Sequence, residues 1–88
     1  LYANYPNPFN PTTTIPYSLS KAGQVHICIY NVNSRRVRTL IDSYEKPGHY
    51  KITWNGCDDQ AKPLASGVYF LRFEMKSASQ TRKLVLMH

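Results

Sequence analysis

The chain has 88 residues, room for one domain and not two, and at this length folding buries only about 60 to 65% of the unfolded surface, so its core must be compact. Eleven Lys and Arg against five Asp and Glu give a net charge of +6, spread along the chain except for the local cluster Arg35, Arg36 and Arg38, a field that favours acidic partners without choosing among them. No apolar run nears the roughly 18 residues of a transmembrane span, no charged-then-apolar leader reads as a signal peptide, and a chain opening on Leu1 is expected to be a fragment of something longer.

Residues 5–14 read Tyr-Pro-Asn-Pro-Phe-Asn-Pro-Thr-Thr-Thr. Proline fixes φ and lacks an N–H, and the residue before it is pushed to extended geometry, so Tyr5, Asn7 and Asn10 belong to a stiff leader that cannot be helical. Residues 1–13 are therefore expected to form a proline-rich leader or linker, and residues 14–88 the domain itself. The intervening proline of Asn10-Pro11-Thr12 excludes a glycosylation acceptor.

From there the period is two. Ile15, Tyr17 and Leu19 alternate with polar neighbours, a turn at Lys21-Ala22-Gly23 follows, and Val25, Ile27 and Ile29 alternate with Gln24, His26 and Cys28. Residues 31–34 are turn-rich, 35–41 predict a third strand, and Lys46-Pro47-Gly48 breaks the chain before a clear fourth strand carrying Tyr50, Ile52 and Trp54. Asn55-Gly56 turns readily, because both residues tolerate positive φ. Pro63-Leu64-Ala65 suits only a short edge piece. Ser66-Gly67 opens what is expected to be the longest strand, with Tyr69, Leu71, Phe73 and Met75 on one face and Arg72, Glu74 and Lys76 on the other. Ser77-Ala78-Ser79 predicts a further turn. The ending, Arg-Lys-Leu-Val-Leu-Met-His, is a continuous apolar run after two cations whose inward parity the pattern leaves open. Six or seven short strands without helical periodicity predict an all-β, immunoglobulin-like antiparallel β-sandwich.

No catalytic constellation accompanies this pattern. His26 and His49 fall on separate strands and His88 at the terminus, and no motif ties any of them to a nucleophile, so the chain does not read as an enzyme. Cys28 and Cys57 allow one disulfide without requiring it, and Trp54 does not lie where an antibody-type bridge needs it. The oxygens of Asn55, Asp58 and Asp59 lie close in sequence but lack the spacing of a calcium loop, so a solvated turn is the reading and no cofactor is expected. Tyr30 and Tyr44 beside the arginines could stack on bases, yet no nucleic-acid-binding motif goes with them, and an aromatic face for carbohydrate is the better alternative.

Taken together, residues 4–13, Ile15 and Tyr17, residues 37–40, Trp54-Asn55-Gly56 and the run from Ser66 to Phe70 resemble the C-terminal type A sorting domain of the type IX secretion system. The middle portion is also similar to the related immunoglobulin-like domain of the flagellar hook-capping protein. The resemblance implies a terminal module joined to an N-terminal cargo domain, read by the translocon and sorting components, delivered through the periplasm to the cell surface, with anionic lipopolysaccharide as a further partner. It implies recognition roles for Gly67, Val68 and Tyr69, and for Lys83, Leu84, Val85 and Leu86. Two positions depart from the family pattern: Ser34 and Ala61 stand where glycine is usual, and an alanine at positive φ would cost about 1 kcal/mol or more. The alternative is a structural or adhesive spacer of an extracellular protein, since fold does not fix function.

Overall fold

The structure is a computed structural model that describes residues 1–7, 12–76 and 78–87. Pro8, Phe9, Asn10 and Pro11 of the expected stiff leader, Ser77 of the expected turn and the terminal His88 lie outside the described residues.

Six strands form, β1 (Thr13–Leu19), β2 (Gly23–Tyr30), β3 (Arg36–Glu45), β4 (Gly48–Trp54), β5 (Gly67–Met75) and β6 (Ala78–Leu86), with no helix among the described residues. All pairings are antiparallel, in a two-stranded sheet β1-β4 and a four-stranded sheet β3-β2-β5-β6. This is the expected immunoglobulin-like β-sandwich. Most boundaries shift by a residue, and two differences from the sequence reading bear on the edges of the larger sheet. β3 and not β5 is the longest strand, at ten residues against nine, because polar Asp42, Ser43 and Tyr44 extend along β2 as an exposed ribbon. Ala78 and Ser79 belong to β6 rather than to a turn, since Met75 pairs Ala78 and Glu74 pairs Ser79.

Alternation determines what lies between the layers. Ile15 and Tyr17 from β1, Trp54 from β4, Val25, Ile27 and Ile29 from β2, Leu71 from β5 and Leu84 and Leu86 from β6 are all 1% exposed or less. Each buried aliphatic side chain contributes about 1.5 to 3 kcal/mol relative to exposure. The undecided parity of the last strand is thereby resolved, with Leu84 and Leu86 inward and Val85 outward. Cys28 is buried although it sits on the outer parity, because β2 is a central strand and Cys28 lies between its cross-strand partners Thr39 and Arg72. Both cysteines are free thiols.

Aromatic rings join the two layers. Trp54 meets Tyr69 edge-on at 5.6 Å between centroids, and its indole N–H donates to the Cys57 carbonyl at 2.9 Å. Tyr17 stacks on Tyr50 at 5.2 Å, leans on Phe73 at 5.7 Å, and donates its hydroxyl to the Glu45 carboxylate. Burial together with that carboxylate pushes the Tyr17 phenol well above its ordinary range. Tyr69 donates to the Ala65 carbonyl at 2.7 Å, the tyrosine tie back to upstream backbone seen at the corner of immunoglobulin sandwiches.

The described part of the leader is not free of the sandwich. The Tyr2 amide donates to the Pro16 carbonyl and Tyr5 exchanges both backbone bonds with Thr14, so residues 2–5 run alongside β1, held by that isolated bridge. Asn4 is buried, donating to Thr13 Oγ1 at 2.9 Å and to the Pro6 carbonyl at 3.2 Å, while Thr13 donates to that same carbonyl at 2.9 Å. Leu1 packs against the core. The Tyr5-Pro6 peptide is cis.

Candidate functional site

The two sequence segments singled out for recognition, some fifteen residues apart in the chain, become one cross-strand ladder. Gly67 pairs Leu86, Val68 pairs Val85, Tyr69 pairs Leu84, and Phe70 pairs Lys83. Their side chains divide by parity. Tyr69, Leu84 and Leu86 are buried in the core, and burial raises the Tyr69 phenol above its ordinary value. Val68 and Val85 are half-buried on the outer face, and Lys83 is exposed. Gly67 has φ of +151°, yet a Cβ there would meet nothing within 4 Å, so backbone conformation alone calls for glycine.

β6 is an edge strand, paired with β5 in unbroken register over nine residues. The Val85 amide points away from β5, since it donates to Asn7 Oδ1 at 3.0 Å. Antiparallel pairing alternates direction with period two, so the N–H and C=O groups of Ser79, Thr81 and Lys83 face outward on the same side. Among the described residues no further strand lies against them. Residues 78–83 are exposed on both faces. Near the rail's end the leader closes in, with Asn7 on Val85 and the Arg82 guanidinium donating to the Leu1 carbonyl at 3.1 Å.

The opposite edge of this sheet is treated differently. β3 slips register against β2 twice, between Ile27 and Cys28 and between Ile29 and Tyr30, and such bulges twist an edge out of reach of a partner strand. A small hairpin then covers it: Cys57 bridges Pro63, the Asp59 amide donates to the Val37 carbonyl at 3.1 Å, and Asp59 Oδ1 accepts from the Thr39 amide at 2.9 Å. Arg38 holds that hairpin in place, reaching the carbonyls of Cys57 at 3.3 Å and Asp58 at 3.5 Å. The Asp58 carboxylate accepts from the Lys62 and Gln60 amides, and those bonds, the Lys62 one foremost, hold it below its usual range. The oxygens of Asn55 and Asp58 are thus engaged by the loop's own backbone amides, that of Asp59 by the Thr39 amide of β3, and Arg38 reaches Asn55 and Asp59 as well.

The remaining residues of interest stay apart. His26 faces Asp42 at 3.3 Å on one sheet while His49 is exposed on the other. Tyr30 lines, with Phe70 and Arg72, a shallow depression of about 220 Å³ on the outer face, whereas Tyr44 stands at the far end of β3, so the two do not form one stacking platform. Sequence reading placed Asn7 in the leader and Asp59 in a turn without these bonds, and did not single out Asn4 or Thr13. Asn7 and Asp59 act on the amides of Val85 and Thr39, far away in sequence, which no local pattern signals, while Asn4 and Thr13 meet each other and the Pro6 carbonyl beside the proline-rich bend, the one local hint.

Between residues 3 and 87 the sequence matches the model of the family described as secretion system C-terminal sorting domain. No curated protein matches it. Among solved structures, PorZ, an essential surface component of the type IX secretion system of Porphyromonas gingivalis, superimposes with a TM-score of 0.66 at 19% identity over 98% of this chain and 11% of that one. Dimeric latent PorU from Porphyromonas gingivalis gives a TM-score of 0.74 at 18% identity over 97% of this chain and 9% of that one. The chain spans about a tenth of the length of either, and at such identity the likeness speaks for the fold. Because the family match runs over nearly the whole of a chain with this sandwich fold, the chain belongs to the C-terminal sorting domains of the type IX secretion system, the signals that take proteins across the outer membrane to the cell surface or beyond.

Proposed function

We propose that the secretion machinery reads this address by adding a strand to the edge of β6, on behalf of a cargo domain that precedes Leu1. The observation that carries the reading is the unequal treatment of the two edges of one sheet: β3 is bulged and covered, whereas β6 keeps a regular row of outward N–H and C=O groups at Ser79, Thr81 and Lys83. An open edge is an aggregation liability that proteins ordinarily blunt, so one left open invites a purpose, and strand addition is a recurrent mode of recognition.

Gly67, Tyr69, Leu84 and Leu86 then serve by holding the edge in shape, Val68 and Val85 lie half-buried on the outer face, and Lys83 is the member of the expected set that stands on the open rail. A second reading has an observation of its own. Lys83 beside Arg82 is the kind of charged edge that discourages pairing, which suits a spacer domain that nothing reads.

Removing residues 84–88 from a fusion cannot separate the two readings, because it also deletes two core leucines. Thr81→Pro and Lys83→Pro can. Each removes an N–H that points away from β5, a placement at which edge strands tolerate proline. In a signal-peptide reporter fusion, in a host with type IX machinery, both variants are expected to fold and to stay in the periplasm. Surface delivery of either at the unmodified level rejects the strand-addition reading.

A further inference from the structure

We infer that the β6 edge takes an acidic extended segment alongside residues 79–83, and that Asn7 marks where this segment ends. The inference rests on the strand-addition reading and goes further, to the chemistry and length of the partner. Between residues 76 and 83 the chain carries Lys76, Arg82 and Lys83 and no acid. These cations flank the open N–H and C=O groups, on a strand exposed on both faces from 78 to 83. Arg72 on the neighbouring strand is already matched by Glu74 at 3.3 Å, whereas Lys83 has no carboxylate within ion-pair distance among the described residues. A strand laid against β6 places its own side chains directly opposite these, and opposite charge there is favoured while like charge is disfavoured. A second copy of this chain brings its own cations to the same row, which argues against self-pairing.

The far end of the rail is closed. Asn7 Oδ1 already accepts from the Val85 amide at 3.0 Å, and Asn7 follows a leader pinned to β1 by Tyr5 and by the buried Asn4. A partner strand therefore engages Ser79, Thr81 and Lys83 and stops short of Val85.

The test is a nuclear magnetic resonance titration of the 88-residue chain with two blocked peptides, one alternating valine with glutamate and one alternating valine with lysine. The glutamate peptide is expected to shift the amides of Ser79, Thr81 and Lys83, to leave Val85 unmoved, and to bind about fivefold more tightly than the lysine peptide, a margin that shrinks in high salt. Lys83→Glu should erase that preference, and Asn7→Ala should extend the shifts to Val85. Equal binding of both peptides, no shift with either, or concentration-dependent self-association that protects the same amides overturns the inference. Because delivery in cells is not the readout, failure here with periplasmic retention of the proline variants leaves strand addition standing and removes only the acidic partner.

Discussion

Ser34 and Ala61 hold the same place in two turns built on one hydrogen-bond plan. In the first, Asn31 Oδ1 accepts from the amides of Asn33 at 2.9 Å and Arg35 at 3.0 Å; in the second, Asp58 Oδ1 accepts from Gln60 at 2.9 Å and Lys62 at 3.0 Å. The fourth residue of each donates its amide to the carbonyl of the first, and it has φ of 62° at Ser34 and 63° at Ala61. These are the two positions where the family resemblance leads one to expect glycine, and both side chains are carried in left-handed geometry.

That geometry costs an L-residue about 1 to 2 kcal/mol, offset in part by the greater freedom of an unfolded glycine. Ser34→Gly and Ala61→Gly are each expected to stabilise the chain by about 1 kcal/mol. The pair should add, since Ser34 and Ala61 each bond within their own turn, to Asn31 and to Asp58. Urea unfolding of the singles and the double checks this, and a loss of stability in either single speaks against it.

The twin turns differ in charge at their first residue, and that gives a pH prediction. Asp58 has its carboxyl lowered in the folded state by the amides of Lys62 and Gln60, so its stabilising contribution is fully present above the unfolded value of 3.8 and fades as the pH falls through the lower folded value. Asn31 makes the same bonds without ionising. Asp58→Asn should therefore keep the two amide bonds, lose the carboxylate's added contribution at neutral pH, and flatten the decline of stability in acid. Unfolding midpoints between pH 7 and about pH 2 check this, and an unchanged acid slope counts against it.

Asn4 anchors the leader from inside the protein. Asn4→Ala removes its bonds to Thr13 and Pro6 and should cost about 1 to 3 kcal/mol. The loss should be local first, with faster hydrogen exchange at the paired amides of Tyr5 and Thr14 and at Val85, whose partner Asn7 follows two residues after Tyr5. Exchange confined to Tyr5 and Thr14, with Val85 still protected, would show the leader and the β6 edge to be uncoupled.

Within the last strand, neighbouring residues should answer to different assays. Leu84→Ala and Leu86→Ala each empty a core site and should cost about 2 to 5 kcal/mol, enough to threaten a domain this small. Val85→Ser, at a half-buried position on the outer face opposite Val68, should cost about 1 kcal/mol or less, well short of either leucine. Equal destabilisation by all three contradicts the parity found for β6.

Gly67, Val68, Lys83 and Val85 come from two motifs that lie apart in the sequence. The ladder that sets Gly67 against Leu86 and Val68 against Val85 brings those motifs side by side, which pairing alone decides. Tyr69, Leu84 and Leu86 belong to the same motifs, yet they face the core, because a motif records which residues recur together and carries no account of which way they point.

The sequence by itself determined the strands and most of their inward faces, as with Ile15, Tyr17 and Leu19, and it determined the turns at Asn31 and Asp58. These depend on alternation and on side chains bonding to backbone a few residues away, both of them local properties of the chain. Tertiary structure alone decided that β6 stands at an edge, that Asp59 covers the other edge through Thr39, and that Asn7 reaches Val85 from the far end of the chain. Edges arise from which segments pair, and pairing joins residues far apart in sequence through backbone groups that every residue carries alike.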